Sequence, residues 1–188
     1  MKFLRWSTLI LLLVSLSTLA FYKPVRVLTP EFFGVSCNEQ NICVDDPSQL
    51  EIAVTLVKST KLHLEQRWNL SISEPKVIFC STQKCQNTFG HTKTAGFTFG
   101  NFGIVIQPRG WKEHYVAHEL IHFWQAENYG SLVLIFAEPW VTEGMAYYLS
   151  KDPRLKLHEP YESYREKFSK WYHIHANEPL EKAVAEIL

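Results

Sequence analysis

Val116-Ala117-His118-Glu119-Leu120-Ile121-His122-Phe123-Trp124 places two histidines four residues apart, with a glutamate directly after the first, inside an otherwise apolar run. On an α-helix, positions i and i+4 share one face, about 6 Å apart along the axis. Two imidazole nitrogens on that face can take adjacent corners of a zinc tetrahedron, each at about 2.0–2.1 Å from the metal. Glu119 is turned about 100° from His118, so it stands beside such a metal without having to ligate it. From there it can take a proton from a water that the metal has made acidic. The competing reading is a core helix whose histidines are satisfied by ordinary hydrogen bonds. Its apolar flanks weigh against that, because two imidazoles and a carboxylate among Val, Leu, Ile, Phe and Trp would be partly buried and in need of partners. A bound cation satisfies all three together.

A second acidic group lies downstream, in Glu138-Pro139-Trp140-Val141-Thr142-Glu143-Gly144-Met145-Ala146-Tyr147-Tyr148. Pro139 suits the first turn of a helix, and the residues after it continue with apolar side chains at helical spacing. Glu143 sits in that apolar setting, followed by Gly144, where the missing side chain lets another backbone approach. Alone, Glu143 reads as a solvated helix glutamate. Beside a zinc-type histidine pair, a third ligand on a neighbouring helix is the better account. Two histidines and one carboxylate leave one position for water, as a catalytic zinc site requires.

Taken together, His118-Glu119-Leu120-Ile121-His122 and Trp140-Val141-Thr142-Glu143-Gly144 resemble the active site of the gluzincin metallopeptidases, the thermolysin-like superfamily also called peptidase MA-like. The resemblance implies one Zn2+ held by His118, His122 and Glu143, with Glu119 as general base in peptide-bond hydrolysis. No histidine follows in the pattern of the metzincins. Thermolysin-like members often carry an Asp four residues after the glutamate ligand; here that position is Tyr147, a candidate second-shell partner or oxyanion donor. Tyr148, Tyr161, Tyr164, His173 and His175 are further candidates for the oxyanion role. His114, four residues before His118, is expected at the helix entrance and outside the ligand set. In such folds a strand along the cleft edge can receive an extended substrate; the matching segment is Phe102 to Gln107, with Ile104, Val105 and Ile106 at its centre. A non-catalytic exported zinc-binding or interaction domain is the competing class, as is a peptidase dedicated to one partner. An intact Glu119 argues for catalysis, since ligation alone does not require it.

The remaining sequence sets the compartment. The chain has 188 residues, with Lys+Arg and Asp+Glu balanced at 19 each. No basic run suggests nucleic acid; the resemblance implies a polypeptide substrate as partner. Leu9 to Tyr22 is apolar, with Lys2 and Arg5 ahead of it, as in the charged and apolar regions of an export signal. Residues 1–22 are therefore expected to be a signal peptide or signal anchor, and residues 23–188 the domain. Membrane contact is expected only through residues 6–22, if they are not cleaved. The domain is then exported, periplasmic or extracellular. Four cysteines suit an oxidising compartment and allow three connectivities. Sequence does not choose among them; the expected pairs are the local ones, Cys37 with Cys43 and Cys80 with Cys85.

The expected fold class is α+β, a minimal zincin-like domain with a small mixed sheet, an active-site helix, a glutamate helix and an N-terminal hydrophobic leader helix. Tyr22 to Asp46 reads as a loop or extended lead-in. Leu50 to Trp68 carries apolar residues at helical spacing after the helix start Asp46-Pro47-Ser48. Lys76 to Cys80 reads as a buried strand, and Gly96 to Ile106 as two strands joined by a Gly-Asn turn. Ser131 to Phe136 reads as a strand or a cleft-lining loop, and two helices close the chain at Tyr161 to His173 and Pro179 to Leu188.

Overall fold

A computed structural model of the chain describes residues 22–188. The leader expected over residues 1–22 lies outside the described residues, Tyr22 excepted. Two short 3-10 turns, Lys23–Leu28 and Pro30–Phe33, lead into strands β1 (Ser36–Cys37) and β2 (Ile42–Val44). Helix α1 (Leu50–Trp68), strand β3 (Val77–Phe79) and helix α2 (Gln83–Phe89) follow. Next come strands β4 (Gly96–Phe99) and β5 (Gly103–Ile106), and then helices α3 (Glu113–Tyr129), α4 (Ser131–Phe136), α5 (Pro139–Leu149), α6 (Tyr161–Ile174) and α7 (Leu180–Ala185). The class is α+β, with one small mixed sheet.

The sheet runs β1-β2-β3-β5-β4. Its two outer pairs are antiparallel, and β3 pairs in parallel with both β2 and β5. Side chains alternate between its faces. Ile42, Val44, Val77, Phe79, Ile104 and Ile106 face a core shared with α1, α3, α5 and α6. Cys43, Ile78 and Val105 face a smaller core with Val27, Val35 and Phe89. α3 is packed against the sheet and α5 at once, and Leu120 and Ile121 are fully buried. Each such side chain contributes about 1.5–3 kcal/mol relative to exposure.

The expectation that Ile104, Val105 and Ile106 form the cleft's edge strand is wrong. β5 is an interior strand, with β3 on one side and β4 on the other, and all four of its residues are buried. The unbroken apolar run Gly103-Ile104-Val105-Ile106 fits burial on both faces, which an edge strand does not need. The edge belongs to β4, which pairs only with β5.

Three further segments differ from the sequence reading. The lead-in carries a hairpin, β1–β2, whose turn is held by Asn38: its side-chain oxygen accepts from the Ile42 and Gln40 amides at 2.9 and 3.0 Å. Strands this short leave no periodicity to read. α2 arises because Thr82 caps it, accepting from the Cys85 amide at 3.2 Å. Ser131–Phe136 is helical although Val, Leu, Ile and Phe suit a strand. An extended connection rises about 3.3 Å per residue, whereas α3 and α5 must stay close enough for Gln125 to bond Thr142 at 3.1 Å.

Both local disulfides are present, Cys37–Cys43 across the β1–β2 pair and Cys80–Cys85 from the end of β3 into α2. Such bonds persist in oxidising compartments. Asp45 braces the same region, accepting from the Ser81 and Thr82 amides at 2.7 and 3.0 Å and from both hydroxyls. Burial pushes its carboxyl up, but the hydrogen bonds from Thr82 and Ser81 outweigh this and hold it below its ordinary value of 3.8. The stabilisation is therefore present above that ordinary value and lost as pH falls through the lowered folded one. Asp45→Asn turns one acceptor into a donor facing donors. Urea unfolding at pH 7 is expected to show a loss of about 1–2 kcal/mol, with the gap to wild type closing in acid below the folded pKa.

Candidate active site

Helices α3 and α5 cross so that His118, His122 and Glu143 meet. The two Nε2 atoms lie 3.0 Å apart, and Glu143 places Oε2 3.5 Å from His118 and Oε1 3.6 Å from His122. All three ligand atoms lie within 4.8 Å of one another and could hold a metal ion. A tetrahedron with arms of about 2.0–2.1 Å has edges of about 3.3–3.4 Å. The Nε2–Nε2 separation lies near that figure, and each imidazole faces a different Glu143 oxygen, so the group could hold a metal ion. Gly144 lets α5 lie close against α6: a Cβ there would collide with the Tyr164 carbonyl oxygen.

A second layer of contacts orients these groups. Gln125, fully buried, donates its amide N–H to the Thr142 carbonyl at 3.1 Å and turns its oxygen toward His122 Nδ1 at 2.9 Å. That oxygen can only accept, so Nδ1 carries the proton and Nε2 is turned to the centre. The field there favours positive charge. Burial pushes His122 toward neutrality, but Glu143 and then Glu119 outweigh it and raise the imidazole to about 9. Burial likewise pushes Glu143 up, yet His118 and His122 hold its carboxyl well below the usual carboxylate range.

Glu119 stands beside the three and is buried. Thr98 on β4 donates to its Oε2 at 2.8 Å and lies 3.0 Å from its backbone carbonyl. Gly96 leaves the room that Glu119 occupies; a Cβ there would meet Glu119 Cγ at 2.9 Å and the Val105 carbonyl at 3.1 Å. Both β4 residues and the four site residues line a cleft of about 820 Å³, within the range of small-molecule and peptide sites.

Of the residues singled out for oxyanion binding, Tyr147 and Tyr161 line this cleft. The Tyr147 ring is 4.4 Å from that of His118 and 5.3 Å from that of Tyr161. Burial and then Glu143 raise the Tyr147 phenol to about 12, so it keeps its proton. Tyr148 packs instead on Trp68, Phe168 and Tyr172. Tyr164, His173 and His175 do not line the cleft. His114 is half-buried against the Tyr115 ring, 4.2 Å away, and outside the ligand group; burial holds it below its ordinary value, against the pull of Asp152.

Sequence reasoning missed Gln125, Tyr115, Thr98 and Arg154. Gln125 is i+3 from His122 and Tyr115 i−3 from His118, so helix spacing carried a signal for both. Thr98 and Arg154 arrive through the tertiary fold. Arg154 lies 5.8 Å from the Tyr115 and Tyr147 rings and is fixed by two bonds to Asp152.

No protein-family model matches the chain, and neither a curated protein nor a solved structure matches it.

Replacing Gln125 by Met frees the His122 ring and removes the side-chain bond to the Thr142 carbonyl. Zinc affinity, read by competition with a chromophoric chelator, is expected to fall about 10–100-fold, while thermal unfolding still shows a cooperative transition.

Proposed function

We propose that the chain is a zinc-dependent metallopeptidase of the gluzincin type, in a minimal zincin-like fold, acting outside the cytoplasm. The observation that supports this reading is the convergence of two Nε2 atoms and one carboxylate within 4.8 Å of one another, with Glu119 beside them in an open cleft. His118, His122 and Glu143 would hold the ion. Bound there, zinc supplies Lewis acidity for the scissile carbonyl and for the attacking water.

The chain's own residues supply the rest. Glu119, steadied by Thr98, takes the proton of the attacking water and passes it to the leaving amine. The Tyr147 phenol, protonated and beside His118, is placed to donate to the developing oxyanion. The free edge of β4 takes the role first assigned to β5: its unpaired backbone groups can receive an extended polypeptide as an added strand. The two disulfides support an exported, periplasmic or extracellular site of action.

Wild-type protein and Glu119→Gln should both bind one equivalent of zinc, with hydrolysis of a denatured protein substrate lowered by about 10²–10⁴ in the variant. Equal hydrolysis by the two at full zinc occupancy would overturn the enzyme reading. Tyr147→Phe should lower kcat by about 10²–10³ with KM little changed; a change confined to KM would place the phenol in substrate binding instead.

A further inference from the structure

Helix α4 carries Ser131-Leu132-Val133-Leu134-Ile135-Phe136, and none of these residues is buried. Leu132 is 75% exposed, Ile135 71% and Phe136 87%. The helix adds nothing to either apolar core, so its large side chains have no folding role that explains them. The patch does not end there. Gly100, in the β4–β5 turn, packs against Ser131, and Phe102 in the same turn is 54% exposed. The Phe102 ring is 5.5 Å from Phe99, which is 6.1 Å from the ring of Tyr22, itself 52% exposed. Tyr22 is the residue at which the apolar leader sequence, free of charge from Trp6 to Phe21, joins the domain.

We propose that this face seats the domain on a lipid bilayer, with α4 and Phe102 in the boundary between headgroups and acyl chains. Where the chain outside the described residues joins the domain selects the occupant: the apolar sequence before Tyr22 joins the domain on the same side as an apolar surface that is unpartnered among the described residues. A shallow interfacial contact needs a few large apolar and aromatic side chains, and α4 with Phe102 supplies them. Leu134, Ile135, Phe99 and Phe102 also line the cleft that holds His118 and Glu143. Its mouth then opens beside the bilayer, and the substrate class becomes polypeptide segments lying on or emerging from the membrane, a consequence that rests on the metallopeptidase reading.

Full-length protein in phosphatidylcholine–phosphatidylglycerol vesicles, with a trace of lipid carrying a photoactivatable diazirine near the glycerol end of its acyl chain, tests the contact. After irradiation and digestion, label is expected on residues 131–136 and on Phe102 as well as in the leader. The double variant Leu132→Ser, Phe136→Ser, at two exposed positions outside the cleft lining, should lose the label at both domain sites to background, with leader labelling and thermal unfolding unchanged. Label confined to the leader would overturn the proposal. So would a doubled mass in detergent with α4 unlabelled, which would mean a second copy covers the face. Cleavage of one peptide, free or tethered to the vesicle, adds the substrate arm: the double variant should lose activity on the tethered form alone. Labelling without any cleavage leaves the membrane contact standing and removes the metallopeptidase reading.

Discussion

His118 and His122 hold their Nε2 atoms 3.0 Å apart with the Glu143 carboxylate facing both, so these half-buried groups must share a proton or a cation. That constraint, imposed at the seam of α3 and α5, organises the rest of the molecule. That carboxylate comes from α5, which packs on α3 and also lies close to α6, where Gly144 clears the Tyr164 carbonyl. The opposite side of α3 is fixed by the sheet through Leu120 and Ile121. The same apolar packing that makes the domain stable therefore brings together three side chains that could hold a metal ion.

Glu119 is positioned by a different element. It leaves the helix toward β4, where Thr98 holds one carboxylate oxygen and Gly96 makes room for its stem. The candidate metal-holding group and the proposed base are thus supported by separate parts of the fold, α5 for the first and β4 for the second. A helix alone could not do both, because residues one position apart point about 100° away from each other. The strand that steadies the base is also the sheet edge that faces the cleft, so the proposed base and substrate backbone share one support.

Much of this was legible in the sequence because it rests on local rules. The i, i+4 pair of His118 and His122, the Pro139 helix start and the Glu143-Gly144 pair are all short-range signals. The same holds for α1, β3 and the β4–β5 hairpin. What escaped reading depends on partners distant in the chain. β5 was taken for an edge because nothing near Ile104 announces that β3 will pair beside it. α4 was ambiguous because its composition suits a strand, and the closeness of Gln125 to Thr142 decided otherwise. Thr98 and Arg154 reach the cleft by topology alone, whereas Gln125 carried an unused signal as a lone polar residue one turn beyond His122.

X-ray absorption at the zinc K-edge of the full-length protein reads the centre most directly. The expected result is a shell of nitrogen and oxygen only, at about 2.0–2.1 Å, with the outer-shell scattering of two imidazoles. Glu119→Gln should leave that spectrum unchanged and His122→Ala should remove one imidazole. Sulfur scattering at about 2.3 Å, or a spectrum indifferent to His122→Ala, would contradict a zinc centre at the crossing of α3 and α5.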